Sequence, residues 1–210
     1  MADNQSSALF GQTPSQTVGP FFHYGLPWKG GADLIGTSDI GARADLFPED
    51  HYLLAQPRAT VTEPVETITI EGVVVDGMGV PTPDVMVEIW QADPAGRYAG
   101  GSNGGFIGFG RSSTSEAGVY RFVTVRPGSV TEADGMTQAP HIAFSVMGRG
   151  MLKRLVTRLY FDGEVANDSD SILGLTPPER RDTLIAKLRD GVWRFDIVLQ
   201  GDRETVFFDI

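Results

Sequence analysis

The sequence predicts an antiparallel β-sandwich with an irregular N-terminal arm and one short helix near its C-terminal end. Three observations lead there. From residue 67 onward, apolar and polar residues alternate in short β-branched runs, the period-two pattern of half-buried strands. Glycine and proline, 26 and 13 of the 210 residues, punctuate those runs with turn chemistry. Before residue 67 no such period exists.

Residues 1–66 form the predicted arm. Pro14, Pro20, Pro27, Pro48, Pro57 and Pro64 interrupt it, and its apolar runs are short. A segment of this kind buries its own backbone poorly. Its aromatic group Phe21, Phe22, Tyr24 and Trp28 therefore argues for lying on another surface, against the alternative of a disordered tail and linker. Residues 67–210 form the predicted sandwich domain.

The first strand is read at 67–75 (TITIEGVVV), closed by the turn-forming DGMG at 76–79. A second at 85–91 (VMVEIWQ) puts Val85, Val87 and Ile89 on one face. The stretch 104–110 (GGFIGFG) lacks the lysine and strand–helix context of a phosphate cradle and reads as a flexible surface loop. Further strands follow at 118–125, 141–147, 154–161, 193–199 and 205–210. The helix is placed from Thr176 onward. Thr176 is its expected cap, Pro177 opens its first turn and Glu179 completes a capping-box spacing. Leu184, Ile185 and Leu188 supply an apolar stripe, and Gly191 ends it.

Composition narrows the chemistry. Seventeen basic against 27 acidic residues give a net charge of −10, which disfavours nucleic acid and anionic membranes as partners. The absence of cysteine removes disulfides, thiolate nucleophiles and thiolate metal sites. No secretory leader is read at the start, and no run approaches the roughly 20 apolar residues of a spanning helix. A cytoplasmic protein is expected.

Of the three histidines, His23 and His51 lie in the arm and His141 opens a strand. The residue two positions along the same face is Ala143, so that strand offers His141 no second ligand. Arg149, in the MGRG of 147–150, is flanked by glycines that leave its guanidinium unshielded. It reads either as a solvated hairpin tip or as the cation that a carboxylate-bearing ligand requires in so acidic a chain.

Taken in order, six motifs resemble the intradiol ring-cleavage dioxygenase family. They are TPSQTVGPFF at 13–22, VEIWQADPAGRY at 87–98, YRFVTVRPG at 120–128, APHIAFS at 139–145, TRLYFD at 157–162 and ETVFFDI at 204–210. The resemblance implies cleavage of 3,4-dihydroxybenzoate by dioxygen to 3-carboxy-cis,cis-muconate, in aromatic degradation. Catalytic chains of the family hold non-haem ferric iron with two tyrosinates and two histidines. Here Tyr98 matches the first tyrosine and His141 the first histidine, while Val130 and Ala143 stand at the other ligand positions. The supporting arginine and glutamine of catalytic chains correspond to Gln138 and Arg158. Such a degenerate site resembles the iron-free α-type chains of heteromeric members. The resemblance therefore implies a homologous β-type partner that binds the iron, in a higher oligomer of heterodimers. It also implies that Thr17, Gly19, Pro20, Phe21 and Arg149 line a pocket shared with that partner, Phe21 replacing a tyrosine common in α chains. Two rival readings remain: a self-sufficient catechol-type enzyme recruiting His23 or His51, and a non-enzymatic transthyretin-like binding module.

Overall fold

Alternation sets the architecture in the computed structural model, which describes residues 17, 19, 31–35, 65–99, 106–132 and 135–209. Strand β1 (Thr67–Val75) buries Ile68, Ile70 and Val74 on one face. It pairs antiparallel with β4 (Val119–Val125), which buries Tyr120 and Phe122 on the same side. Across the core stand β2 (Val85–Gln91), β7 (His141–Gly148) and β8 (Leu155–Phe161). They contribute Val85, Val87, Ile89, Ile142, Phe144, Val146 and Leu159 to one continuous apolar cluster. Phe144 bridges the layers, with ring centroids 5.9 Å from Tyr120, 6.3 Å from Phe122 and 5.2 Å from Phe195.

Strand β3 (Phe109–Ser113) pairs with β2, while β9 (Ile185–Arg189) and β10 (Val192–Arg194) carry the sheet from β8 round to β1. Beside β1 also lies β11 (Ile197–Val198), and β5 (Val130–Thr131) with β6 (Thr137–Gln138) forms a separate two-stranded ribbon. Pairing is antiparallel except at β1–β10, β1–β11 and β8–β9. Residues 31–35 lie on this chain's own sandwich: Leu34 N–H donates to Val123 O, Val123 N–H to Ala32 O, and Ala32 is buried. Among the described residues no helix is long and apolar enough to cross a membrane.

Most strands stand where alternation places them; four expectations need correction. The helix from Thr176 to Gly191 does not form. Residues Pro178–Leu184 make a 3-10 turn that no side chain caps, and the chain then continues as β9. Leu184 and Ala186 are buried with the less buried Ile185 between them, which is alternation, and Leu188, which a helical stripe would bury, is 56% exposed. The deciding signal is Asp190–Gly191, both at positive φ, a two-residue hairpin turn joining Arg189 to Val192. The short helix of the fold is instead α1 (Ser171–Gly174), capped by the Asp170 carboxylate.

The glycine-rich stretch is not a loop to its end, because Phe109 and Gly110 belong to β3. A Cβ on Gly110 would stand 2.5 Å from Leu34 and 3.1 Å from Gly31 O, so this glycine lets the 31–35 segment approach. The expected strand at 193–199 breaks into β10 and β11, with Asp196 turning its carboxylate onto Val73 N–H. Residues 205–209 form no strand, although Thr205 N–H and Phe208 N–H donate to Val198 O and Val156 O.

Gly72 stands opposite Tyr120 in register. A Cβ there would lie 1.8 Å from Phe195 O, the carbonyl that accepts the buried Tyr120 hydroxyl. Gly72→Ala is therefore expected to destabilise the chain by about 2–4 kcal/mol in chemical denaturation. Gly79→Ala, at φ 79° with open space around it, should lose only about 1 kcal/mol. Equal losses would show that the close approach is not what limits residue 72.

Candidate active site and its degenerate metal ligands

Strand β7 has two working faces. Its even-numbered residues fill the core, and His141 and Ala143 point the other way. Register places Tyr160 of β8 opposite His141, and Arg158 of β8 and Trp90 of β2 on either side of Ala143. Tyr98 arrives from the loop after β2 and stacks on Trp90 at 5.9 Å, with planes 6° apart. Asp93 shapes that loop: its Oδ1 accepts Ala95 and Arg97 N–H, each at 2.9 Å, and its Oδ2 accepts Arg97 Nε at 3.0 Å. The loop lies directly on 128–130, since a Cβ at Gly96 would meet Ser129 O at 1.9 Å.

His141 is 2% exposed and hydrogen-bonded at both ring nitrogens. Nδ1 lies 2.8 Å from the Ala139 carbonyl, which can only accept, so Nδ1 carries the proton. In the neutral ring, Nε2 then accepts from the Tyr98 hydroxyl at 3.2 Å. Burial and the Arg158 guanidinium lower the His141 pKa, outweighing the Ala139 carbonyl and the Asp170 and Glu132 carboxylates that raise it. Burial raises Tyr98 against the opposing pull of Arg158. The imidazole thus rests uncharged, and the Tyr98 phenol keeps its proton.

Arg158 is itself anchored. Its Nη1 donates to Gln138 Oε1 at 2.7 Å, and Gln138 Nε2 donates in turn to Glu132. Tyr160, whose pKa burial and Asp170 push far above the ordinary phenol value, donates to Asp170 Oδ1 at 3.0 Å.

This donor set does not fit a ferric ion. Val130, in β5, and Ala143 bring no donor atom, and the fixed Arg158 guanidinium faces Tyr98 and His141. Among the described residues no cluster of three or more His, Asp or Glu could hold a metal.

Of the expected pocket residues, Thr17 is the one seen at the turn that carries Arg149. Arg149 is exposed at the end of β7, and Thr17 Oγ1 accepts Gly150 N–H at 3.0 Å across 133 residues of sequence. Gly19 is exposed nearby in sequence; Pro20, Phe21, His23 and His51 lie outside the described residues. Sequence reasoning missed Asp170, because its partners Ala139 and Tyr160 lie 31 and 10 residues before it and no motif links them.

A family model described as dioxygenase matches residues 43–201, and this chain belongs to that family, the intradiol dioxygenases. It is 43% identical to the protocatechuate 3,4-dioxygenase alpha chain of Burkholderia cepacia, over 95% of this chain and 98% of that one. The protocatechuate 3,4-dioxygenase beta chain of the same organism is 35% identical, over 81% of this chain and 77% of that one. Among solved structures, the dioxygenase domain of a carbohydrate-binding fusion from Streptomyces sp. SirexAA-E superposes with a TM-score of 0.54. Identity there is 28%, over 73% of this chain and 95% of that one. The family is iron-dependent.

The neutral imidazole has a measurable consequence. Its folded-state pKa lies below 6.5, so as pH falls the unfolded chain takes up that proton first. His141 then subtracts stability from about pH 6.5 downward until the folded-state pKa is passed, and contributes nothing above it. NMR titration of the ring should give a midpoint below 6.5, and Arg158→Gln should raise it. A midpoint at or above 6.5 would contradict the dominance of burial and the Arg158 charge over the neighbouring carboxylates.

Proposed function

We propose that this chain is the iron-free α-type subunit of a protocatechuate 3,4-dioxygenase, active only beside a β-type chain that binds the ferric iron. One observation carries the reading: beside Tyr98 and His141 the side chains of Val130 and Ala143 bring no donor atom, and Arg158 adds a positive charge. Such a site offers a metal two neutral donors and a neighbouring positive charge. Identity higher to an α chain than to a β chain, along nearly the whole length, supports it. In this reading residues 1–66 are an arm that is seated on its own sandwich at 31–35 and reaches from there onto the partner subunit. Residues 67–210 are the catalytic-type sandwich, and heterodimers assemble into a higher oligomer.

The contribution of this chain to substrate is Arg149. A net charge of −10 repels a carboxylated ring at long range, so recognition needs a local cation. Arg149 is exposed between Gly148 and Gly150 at the tip of β7, where the arm residue Thr17 also lies. There the guanidinium meets the ring carboxylate, directly or through water, and orients the diol toward the partner's iron. Thr17, Gly19, Pro20 and Phe21 line the same shared pocket.

Iron analysis tests the subunit assignment. The chain expressed alone should bind no stoichiometric iron, and co-expressed with its β-type partner it should carry about one iron per heterodimer. Full occupancy in the lone chain would establish a self-sufficient enzyme instead. Substrate recognition is read from kinetics of the complex. Arg149→Ala should raise KM for 3,4-dihydroxybenzoate by the equivalent of about 1–3 kcal/mol, with Lys recovering part of the loss. Catechol, which lacks the carboxylate, should be affected much less. Equal losses for both substrates would assign Arg149 to assembly or loop shape.

A further inference from the structure

We propose that Thr17 is a positioning residue for Arg149, acting through the backbone of Gly150 instead of contacting substrate. The inference rests on the reading that Arg149 receives the substrate carboxylate.

The hydrogen bond falls on a particular peptide. Thr17 Oγ1 accepts the N–H of Gly150, at 3.0 Å. That N–H belongs to the peptide plane joining Arg149 to Gly150, and the plane is set by ψ of Arg149 and φ of Gly150. Gly150 sits at φ 88°, and a Cβ there would find no heavy atom within 4 Å. Packing therefore does not dictate its conformation, and glycine populates both signs of φ with similar ease. A change in ψ of Arg149 alters which rotamers the backbone allows its side chain, so fixing this plane restricts where the guanidinium can point.

The upstream flank is held differently. Gly148 closes β7 opposite Val85, and a Cβ on it would lie 3.1 Å from Met151 Sδ and 3.3 Å from Val85 Cγ2. Met151 N–H donates to Gly148 O at 3.2 Å, and the Met151 side chain packs against the core. One end of the turn is thus built into the sandwich, and the amide at the other end is given to the arm. Seating the arm and aiming the guanidinium become one event. Holding Arg149 in place before substrate arrives removes an ordering penalty from binding, so the effect falls on KM.

The test uses the complex with the β-type partner and the carboxylated catechol. Thr17→Val deletes the acceptor at nearly constant volume, and Thr17→Ser retains it. Val should raise KM roughly three- to tenfold with kcat little changed, while Ser stays within about twofold of the natural residue. In an Arg149→Ala background, Thr17→Val should add no further increase, since nothing remains to be aimed. Additive increases would overturn the proposal in favour of direct contact between Thr17 and substrate. Equal increases for Ser and Val, or none for Val while Arg149→Ala still raises KM, would overturn it as well. An Arg149→Ala complex with unchanged KM would overturn the carboxylate reading itself, a result seen without any Thr17 variant.

Discussion

Asp170 is 2% exposed and accepts from four donors: Ala139 N–H, the Tyr160 hydroxyl, and the N–H groups of Ile172 and Leu173. A carboxylate withdrawn from water persists only when its lone pairs are satisfied in this way. Much of the site hangs from it. Holding Ala139 fixes the carbonyl that takes the His141 Nδ1 proton, which in turn fixes Nε2 as the acceptor for Tyr98. Holding Tyr160 secures the register partner of His141 on β8. One acidic side chain at the start of α1 thereby sets the tautomer of a histidine two strands away. Removing it would leave the Ala139 amide and the Tyr160 hydroxyl without their partner in the interior, a more severe loss than that of a surface ion pair.

The aromatic side chains divide between two tasks along the same strands. Phe144, Tyr120, Phe122 and Phe195 meet edge-on or tilted within the core, where their area is removed from water. Trp90 and Tyr98 stack at the rim and remain more than a third exposed. The rim pair is held by the Asp93 loop and not by burial, so its geometry depends on a few hydrogen bonds in place of many dispersion contacts. Charge follows the same division. Arg126 lies over the Phe161 ring at 4.3 Å and pairs with Glu164, a structural use of a cation, whereas Arg158 faces the titratable groups of the site.

The strands were legible because period-two burial is written residue by residue, as in Val85, Val87 and Ile89. The false helix shows where that reading failed. Leu184, Ile185 and Leu188 fit a helical stripe locally, and the capping residues before them agreed. The Asp190–Gly191 turn and the pairing of β9 with β8 and β10 overrode that local preference. Thr176, the expected cap, is buried and gives its carbonyl to Arg181 Nε at 2.9 Å. At the site, Tyr98, His141, Val130 and Ala143 could be named from motif order alone. The chain of Arg158, Gln138 and Glu132, and the Asp170 hub, could not, since each link joins residues that only the fold brings together. The meeting of Thr17 with Gly150 was implied only loosely, by assigning the arm and Arg149 to one pocket.

The alternation along β7 has a consequence for how such a chain can change its occupation. Ile142, Phe144 and Val146 carry the packing, and the residues between them carry whatever chemistry the other face performs. Substitutions on one face leave the interior volume of the other untouched. Donor groups on that face can therefore be exchanged while the packing face of the strand stays as it is. The scaffold separates being foldable from being catalytic.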